Sequence, residues 1–315
     1  MNKVGDTKNT HKVLTKRDFQ LFSLIGMSVV FLIIFNYMPM FGLIFAFKDG
    51  DGSLNILKGM TESEWTLGNF KALFGDDTFW EVFFNTLKIN LLLLLFNFPM
   101  PVIFAILLNE VSCGWVRKTI QTIATLPHFI SWTVFGGIVL LMTDMNIGVI
   151  NPILDFLGLS LSEHPVDLNL PQYFYPKIIL ASIIKSTGWG AIIYIAAIAG
   201  IDQSLYEAAE IDGANRFRRV VSITLPSIRP TILVYLLLNI STLLSNSFEQ
   251  FYVFQNVANL SKTRVLATYL YNLGFTYRKY STATALSLCE GVISLLLIFS
   301  TNWLAKKWTG EGILY

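Results

Sequence analysis

Hydrophobic residues along the chain gather into six long runs, which are separated by polar segments. Each run is close to the 20 or so residues that a helix needs to cross the hydrocarbon core of a bilayer. The pattern therefore predicts an all-α integral membrane protein with six transmembrane helices. The predicted spans cover residues 19–40, 82–108, 120–142, 178–200, 231–248 and 284–304.

Prolines interrupt the interior of two of these runs. Pro99 and Pro101 lie in the second run, and Pro127 lies in the third. Proline removes a backbone donor, so it predicts a helix break whose freed carbonyls neighbouring groups must satisfy within the membrane. Both a static kink and a hinge for conformational change fit this pattern.

The most polar stretch of the second half, residues 207–226, lies between the fourth and fifth runs. Residues 205–211 are rich in alanine and favour a short helix. Gly213 then supplies a sharp turn, because glycine takes the positive φ that ends a helix. A second helix is expected over 215–223, with a break at Pro226 before the next apolar run. The sequence predicts a helix–turn–helix projecting from the membrane; we call residues 201–229 the polar loop.

The composition supports a membrane protein and excludes several functions. The chain has 315 residues, of which 53% are hydrophobic and 14% charged, against about 25% charged in soluble domains. Two cysteines and three histidines show no metal-ligand spacing. The sequence contains no phosphate-binding loop of the G-x4-G-K-[ST] type and no legible catalytic triad. An ATPase and a membrane-embedded enzyme are both disfavoured.

Lysine and arginine in the loops predict the orientation. Segments on the N-terminal side of the membrane carry thirteen of them and the opposite loops carry eight, although the opposite loops are longer. The positive-inside rule then places both termini and the polar loop in the cytoplasm. The first run is too long for a signal-peptide core, so a retained signal anchor is expected. The expected division is a basic cytoplasmic segment (1–18), a six-helix membrane domain (19–305) and a cytoplasmic tail (306–315).

Polar and charged side chains inside the predicted spans are the candidates for solute contact, because such groups are costly in a bilayer and face cavities or partners. Amides, carboxylates and aromatic rings together suit a sugar. Structural roles also fit these residues: Lys88 could snorkel to the interface, Lys185 and Glu290 could pair with each other, and the amides could hold helices together. A further alternative is that the charged groups form the ion relay of a secondary transporter. The candidate substrate contacts are Asn239, Asn246, Glu249, Gln250, Tyr252, Trp189 and Glu290.

Seven positions of the polar loop follow the spacing E-A-A-x3-G-x9-I-x-L-P, beginning at Glu207. This spacing resembles the cytoplasmic coupling loop of membrane subunits of binding-protein-dependent ABC importers. The run that extends from K-S-T-G-W-G to the loop, and the later S-F-E-Q-F-Y-V-F-Q-N, resemble the oligosaccharide and polysaccharide permeases of the carbohydrate-uptake branch. Three long outer loops are expected to be either docking surfaces for a binding protein or plain connections.

The resemblance implies a type I ABC importer permease in the bacterial plasma membrane, working by alternating access. Its implied partners are a second permease chain, two cytosolic ATPase subunits, an extracytoplasmic solute-binding protein and an oligosaccharide, with no nucleic acid. ATP and magnesium would bind the ATPase partners, so no cofactor is expected on this chain. A non-sugar solute is the alternative. The implied coupling residues are Glu207, Ala208, Ala209, Asp212, Gly213, Ile223, Leu225 and Pro226.

Overall fold

A computed structural model describes residues 16–50, 63–158, 166–244 and 247–309 of the chain. Within these ranges most residues lie in helices, and the one β-bridge joins Lys48 to Trp65. Among the described residues, five helices are long and apolar enough to cross a membrane, and a bent helix pair makes a sixth crossing if it is counted as one. The predicted all-α membrane fold is confirmed.

The first crossing, Ile25–Phe47, stands apart from the bundle for most of its length. Residues 25–41 are all exposed. Only the end of the crossing packs, where Asn69 Nδ2 donates to the carbonyls of Ala46 (3.1 Å) and Lys48 (2.8 Å). Its helical segments are α1 (Lys16–Leu32), a π-helical turn (Ile33–Tyr37), Met38–Met40 and a 3-10 helix (Phe41–Phe47).

The second crossing is one helical run with a proline pair in its middle. Its two segments are α2 (Asp77–Asn97) and α3 (Pro99–Asn109). The N–H of Phe98 donates to the Leu94 carbonyl at 3.2 Å, so the chain is still helical when it reaches the prolines. Pro99 and Pro101 lie in the first turn of α3, where a missing N–H is tolerated. The helix is interrupted at Phe98 alone, so the break expected at this pair is local and leaves one continuous crossing.

The third hydrophobic run forms a bent pair of helices. Its segments are α4 (Gly114–Thr125), a 3-10 turn (Leu126–Phe129) and α5 (Trp132–Met142). The two halves meet at 104°, and Pro127 lies in the turn, so the predicted interruption is confirmed. The Lys185 ammonium group donates to the carbonyls of Pro127 (3.0 Å), His128 (3.1 Å) and Ile130. A side chain from the fourth crossing thus satisfies the carbonyls that the bend frees.

The second half of the chain supplies three more crossings and the short helices that pack around them. The fourth crossing is Pro171–Ala199, the fifth is Arg216–Ser241 and the sixth is Tyr280–Lys307. The helices are α6 (Phe174–Ala199), α7 (Gln203–Ile211), α8 (Leu225–Ser241), α9 (Phe248–Tyr252), α10 (Leu266–Tyr271) and α11 (Tyr280–Thr309).

The fifth crossing differs from the prediction at both ends. The predicted break at Pro226 is wrong, because Arg216–Ser241 is one helix. A π-helical stretch, Val220–Thr224, directly precedes this proline. Its wider turn alters the hydrogen-bond register where a residue without an N–H must fit. The predicted end at residue 248 is also wrong, because the helix ends at Ser241 and Phe248 opens α9.

Contacts between distant segments define two ends of the bundle. At the polar-loop end, Arg216 lies 3.9 Å from Glu110, so the fifth crossing starts beside the end of the second. At the opposite end, the Tyr269 hydroxyl donates to Asp76 at 2.8 Å, so the start of the second crossing meets α10. Apolar clusters fill the space between, and Tyr194 is fully buried in one of them.

Candidate functional site

The polar loop forms the predicted helix–turn–helix. α7 is capped where the Asp202 carboxylate accepts a hydrogen bond from the Ser204 N–H at 3.0 Å. Gly213 has φ +75°, the left-handed conformation that glycine adopts without strain. Asn215 caps the second helix by accepting from the Arg218 N–H at 2.8 Å. Local capping and one glycine therefore determine the turn, as the sequence predicts.

The motif residues of the loop divide into a presented part and an anchored part. The exposed residues are Glu207, Ala208, Asp212, Gly213 and Pro226, and the half-buried ones are Ala209, Ile223 and Leu225. Leu225 packs against the apolar cluster that contains Ile198 and Ile228. The first helix of the loop is thus free to meet another molecule, while Leu225 ties the loop to the fourth and fifth crossings.

Side-chain contacts hold the two helices of the loop together. Arg219 lies 3.2 Å from Glu210, and the hydroxyls of Tyr206 and Thr224 lie 2.9 Å apart. An exposed ion pair of this kind stabilises by less than about 1 kcal/mol, so the apolar anchor is the stronger link. At the tip, Ile211 is 87% exposed and Phe217 is 77% exposed. Large apolar side chains this exposed, rimmed by charges, are typical of a surface that binds a partner.

A polar cavity of about 220 Å³ lies between the second, fourth and fifth crossings. Of the predicted substrate contacts it contains Asn239, whose Nδ2 donates to the Tyr235 carbonyl at 2.7 Å. Asn97 Oδ1 is buried and has no hydrogen-bond partner among the described residues. Because buried polar atoms are normally paired, this acceptor is an unusual feature of the residues that line the cavity. The other polar residues that line the cavity are Asn90, Ser186, Tyr235 and Thr242.

A second cavity, of about 330 Å³, contains aromatic rings and Glu290. The Phe248 ring lies 4.7 Å from the rings of both Tyr252 and Tyr271, and the ring of Phe275 continues the stack at 5.1 Å from Tyr271. Of the predicted contacts, Glu290 lines this cavity, and Tyr252 packs against Phe248 and Tyr271 of its wall. Stacked rings beside a carboxylate can hold the faces and hydroxyls of a sugar.

The remaining predicted contacts are dispersed. Glu249 is exposed on α9, and Gln250 Nε2 donates to Ser182 Oγ at 3.0 Å, which ties α9 to α6. Trp189 stacks flat on His128 at 4.4 Å, beside the bend of the third crossing. Asn246 lies outside the described residues.

The charged groups considered for an ion relay do not meet. Lys185 is engaged by the carbonyls of the bend, so its predicted pairing with Glu290 is wrong. The part of the chain that the structure describes contains no ion pair joining Lys185, Glu249 or Glu290. Lys88 lies 4.7 Å from the centre of the Tyr175 ring. The geometry gives a secondary-transport relay no support.

Several residues that line the 220 Å³ cavity are not among the candidate substrate contacts. Asn90 and Asn97 lie seven residues apart, and Tyr235 and Asn239 lie four apart, so each pair shares a helix face. That periodicity of polar residues is a signal that the sequence contains. The position of Ser186 on the facing helix carries no comparable signal.

The family described as binding-protein-dependent transport system inner membrane component matches residues 97–309. The chain belongs to this family. It is a multi-pass inner-membrane transport subunit, and the family's ATP hydrolysis is carried by a separate subunit. This confirms the expected class of protein.

Similar proteins are found along almost the whole chain. Protein LplB of Bacillus subtilis (strain 168) is 42% identical over 300 residues, which are 95% of this chain and 92% of that protein. The polygalacturonan/rhamnogalacturonan transport system permease protein YteP of the same strain is 37% identical over 294 residues, 93% of this chain and 89% of that protein.

Solved structures of ABC transporters are also similar to this chain over almost its whole length. A bacterial ABC transporter involved in the import of the acidic polysaccharide alginate matches with a TM-score of 0.83 and 34% identity, over 93% of this chain and 97% of that chain. The same kind of transporter in complex with an alginate pentasaccharide-bound periplasmic protein matches with a TM-score of 0.82, over 95% of this chain and 98% of that chain. The fold is that of a type I ABC importer permease.

Proposed function

We propose that this chain is one of two membrane subunits of an ATP-driven importer that carries an oligosaccharide into the cytoplasm by alternating access. The observation that carries the proposal is the polar loop. Its exposed helix is joined directly to the fourth and fifth crossings, and Ser186 and Asn239 of those crossings line the 220 Å³ cavity. A partner that moves the loop therefore acts on the walls of a solute cavity.

The polar loop is the proposed docking site for a cytosolic ATPase subunit. Glu207 is exposed on α7 and offers a charge to a basic partner residue, while Ala208 allows close approach. Short helices laid into grooves are a common mode of recognition. The loop and both termini lie on the cytoplasmic side in this proposal. ATP and magnesium bind the ATPase partners, and this chain binds no cofactor.

An oligosaccharide is the proposed solute, delivered by an extracytoplasmic binding protein and received together with a second permease chain. Its support is the polar lining of the 220 Å³ cavity, the stacked rings beside Glu290, and the polysaccharide transport named for the relatives. The amides and hydroxyls of the cavity offer the hydrogen bonds that sugar hydroxyls require.

Reversing the charge of Glu207 tests the coupling role. We expect Glu207→Arg in the complete transporter to insert and assemble normally but to lose substrate-stimulated ATP hydrolysis. Glu64→Arg, an equal charge change at an exposed site of the opposite end, is the matched control. Hydrolysis and uptake at the wild-type rate in Glu207→Arg would reject the assignment.

Replacing Asn239 tests the cavity. We expect Asn239→Leu to impair uptake of the transported saccharide while leaving assembly intact, because the cavity loses an amide. Ser241→Ala, two residues along the same helix, removes a hydroxyl that bonds locally to the Leu238 carbonyl and is the control. Unchanged uptake in Asn239→Leu would remove this cavity from the solute path.

A further inference from the structure

A third cavity, of about 440 Å³, lies at the end of the bundle opposite the polar loop. It is formed where the second crossing begins, where α10 ends and where the sixth crossing begins. Its volume falls within the range of pockets that bind small organic ligands. The polar side chains that line it include Asp76, Arg264, Tyr269, Asn272, Tyr277 and Lys279.

The charges of this cavity favour an anion. Arg264 and Lys279 contribute two positive charges, and Asp76 contributes one negative charge. Both oxygens of Asp76 are engaged, one by the Thr78 N–H and the other by the Tyr269 hydroxyl, each at 2.8 Å. Burial raises the pKa of Asp76, but these hydrogen bonds and the charge of Lys279 outweigh burial and hold the pKa below its usual value. One net positive charge therefore faces a ligand at neutral pH.

The guanidinium group of Arg264 has an unused donor. Its Nε is buried and has no hydrogen-bond partner among the described residues. No carboxylate of those residues lies within 4 Å of Arg264 or Lys279. A buried donor without a partner is costly, and a carboxylate that accepts two parallel N–H bonds suits the fork of an arginine. The guanidinium fork of Arg264 therefore suits one planar anionic group.

Neighbouring cations extend the positive region. Lys88 Nζ lies 4.7 Å and Lys262 Nζ lies 5.9 Å from the centre of the same ring, that of Tyr175. Asn85 Nδ2 donates to the carbonyls of Lys262 (2.9 Å) and Arg264 (2.7 Å), which fixes the backbone beneath both cations. Lys88 and Lys262 thus share one aromatic ring, and Asn85 holds the backbone that carries Lys262 and Arg264.

The segment around Arg264 and Lys279 is basic. Residues 250–289 contain four lysines and arginines and no aspartate or glutamate. This segment therefore adds only positive charge to the cavity, and the one carboxylate in the lining, that of Asp76, is already engaged by Thr78 and Tyr269.

We propose that this cavity binds the carboxylate of an acidic oligosaccharide, one built from uronate units, as the saccharide enters the transporter. The inference rests on the proposed function and adds the chemical class of the solute. Arg264 pairs with the carboxylate, while Tyr277 and Asn272 offer a ring face and an amide to the sugar. A neutral saccharide offers Arg264 only an uncharged acceptor, whose hydrogen bond is weaker, so the cavity favours the acid.

The test compares two forms of one sugar on the complete transporter in lipid nanodiscs. The probes are a galacturonate pentasaccharide with free carboxylates and the same pentasaccharide as its methyl ester, which has no charge. We expect the acid to bind about tenfold more tightly than the ester, the size expected for a hydrogen bond to a charged group. In Arg264→Gln the acid should lose this advantage, while binding of the ester stays unchanged.

Two further variants complete the test. Lys71→Gln removes an exposed lysine from the same end and should keep the full preference for the acid. Lys279→Gln should reduce the preference, and it provides the comparison if Arg264→Gln does not assemble. Equal binding of the two forms by the wild type, no binding of either form, or a preference that survives both Arg264→Gln and Lys279→Gln would overturn the site.

An uptake assay separates this inference from the proposed function. ATP-driven uptake of neutral oligosaccharides without any preference for the acid would refute the acidic site and leave the sugar importer standing. Absence of ATP-driven uptake of every saccharide tested would refute the proposed function itself, and the inference with it.

Discussion

Lys185→Met should loosen the bend of the third crossing. Lys185, Gly188 and Trp189 lie three and four residues apart on α6, so they share one face, and that face contacts the bend. The ammonium group of Lys185 donates to the carbonyls of Pro127, His128 and Ile130. Methionine keeps the length of the side chain and removes every donor.

The size of the effect follows from the carbonyls that lose this donor. Pro127 still accepts from the N–H of Ile130 at 3.3 Å, so its carbonyl keeps one partner. The carbonyls of His128 and Ile130 lose the ammonium group, and a buried acceptor left unsatisfied costs about 1 to 3 kcal/mol. A loss of about 3 kcal/mol of unfolding free energy is expected, because water can enter and relieve part of the cost.

Thermal inactivation of the assembled transporter measures this loss. At roughly 2 °C or more per kcal/mol for chains of this size, the midpoint should fall by about 5 °C or more. Lys118→Met is the matched control, since Lys118 is an exposed lysine on α4 of the same bent pair. Its midpoint should stay within about 1 °C of the wild type, as is usual for surface substitutions.

Equal midpoints for Lys185→Met and Lys118→Met would refute this role of the ammonium group. That result would mean that the bend retains its backbone hydrogen bonding without it. A fall in Lys185→Met with normal uptake at low temperature would assign Lys185 to stability alone. A fall accompanied by ATP hydrolysis without uptake would show that the bend also takes part in transport.

Two further predictions concern packing and pH. Gly188→Ala should prevent normal assembly, because the added Cβ would clash with the Ala124 carbonyl oxygen. Gly137→Ala, whose added Cβ meets nothing within 4 Å, should assemble like the wild type on size-exclusion chromatography. Asp76→Asn should lower stability by about 1 kcal/mol near pH 7, because Tyr269 loses a charged acceptor. Since the pKa of Asp76 is lowered in the fold, its contribution is present above about pH 4 and lost as the pH falls further, so thermal midpoints of variant and wild type should converge in acid.

The crossings and the polar loop could be predicted because their causes are local. Hydrophobic runs of membrane length set the helices, and Asp202, Gly213 and Asn215 set the caps and turn of the loop within a few residues of where they act. Whether a helix bends or continues at a proline could not be predicted from the neighbouring residues. Pro226 is accommodated by the π-helical stretch before it, and the bend at Pro127 is completed by Lys185, which lies 58 residues away.

The candidate solute contacts were only partly predictable for a similar reason. Polar residues in apolar runs identify candidates, but the packing of the helices decides which of them meet. Asn239 and Glu290 line different cavities, and Trp189 faces the bend instead of either one. The short helix α9, which interrupts the predicted continuation of the fifth crossing, turns Tyr252 towards Phe248 and Tyr271.

The unbroken fifth crossing acts mechanically as a lever arm. A helix rises about 1.5 Å per residue, so Asn239 lies roughly 35 Å along the axis from Arg216. A rigid tilt of about 10° imposed at Arg216 would move Asn239 sideways by roughly 6 Å, which is more than the length of a hydrogen bond. A hinge at Pro226 would have absorbed that tilt near the membrane surface. Because the helix continues through the proline, we expect a small rotation of the polar loop to move the cavity wall at Asn239.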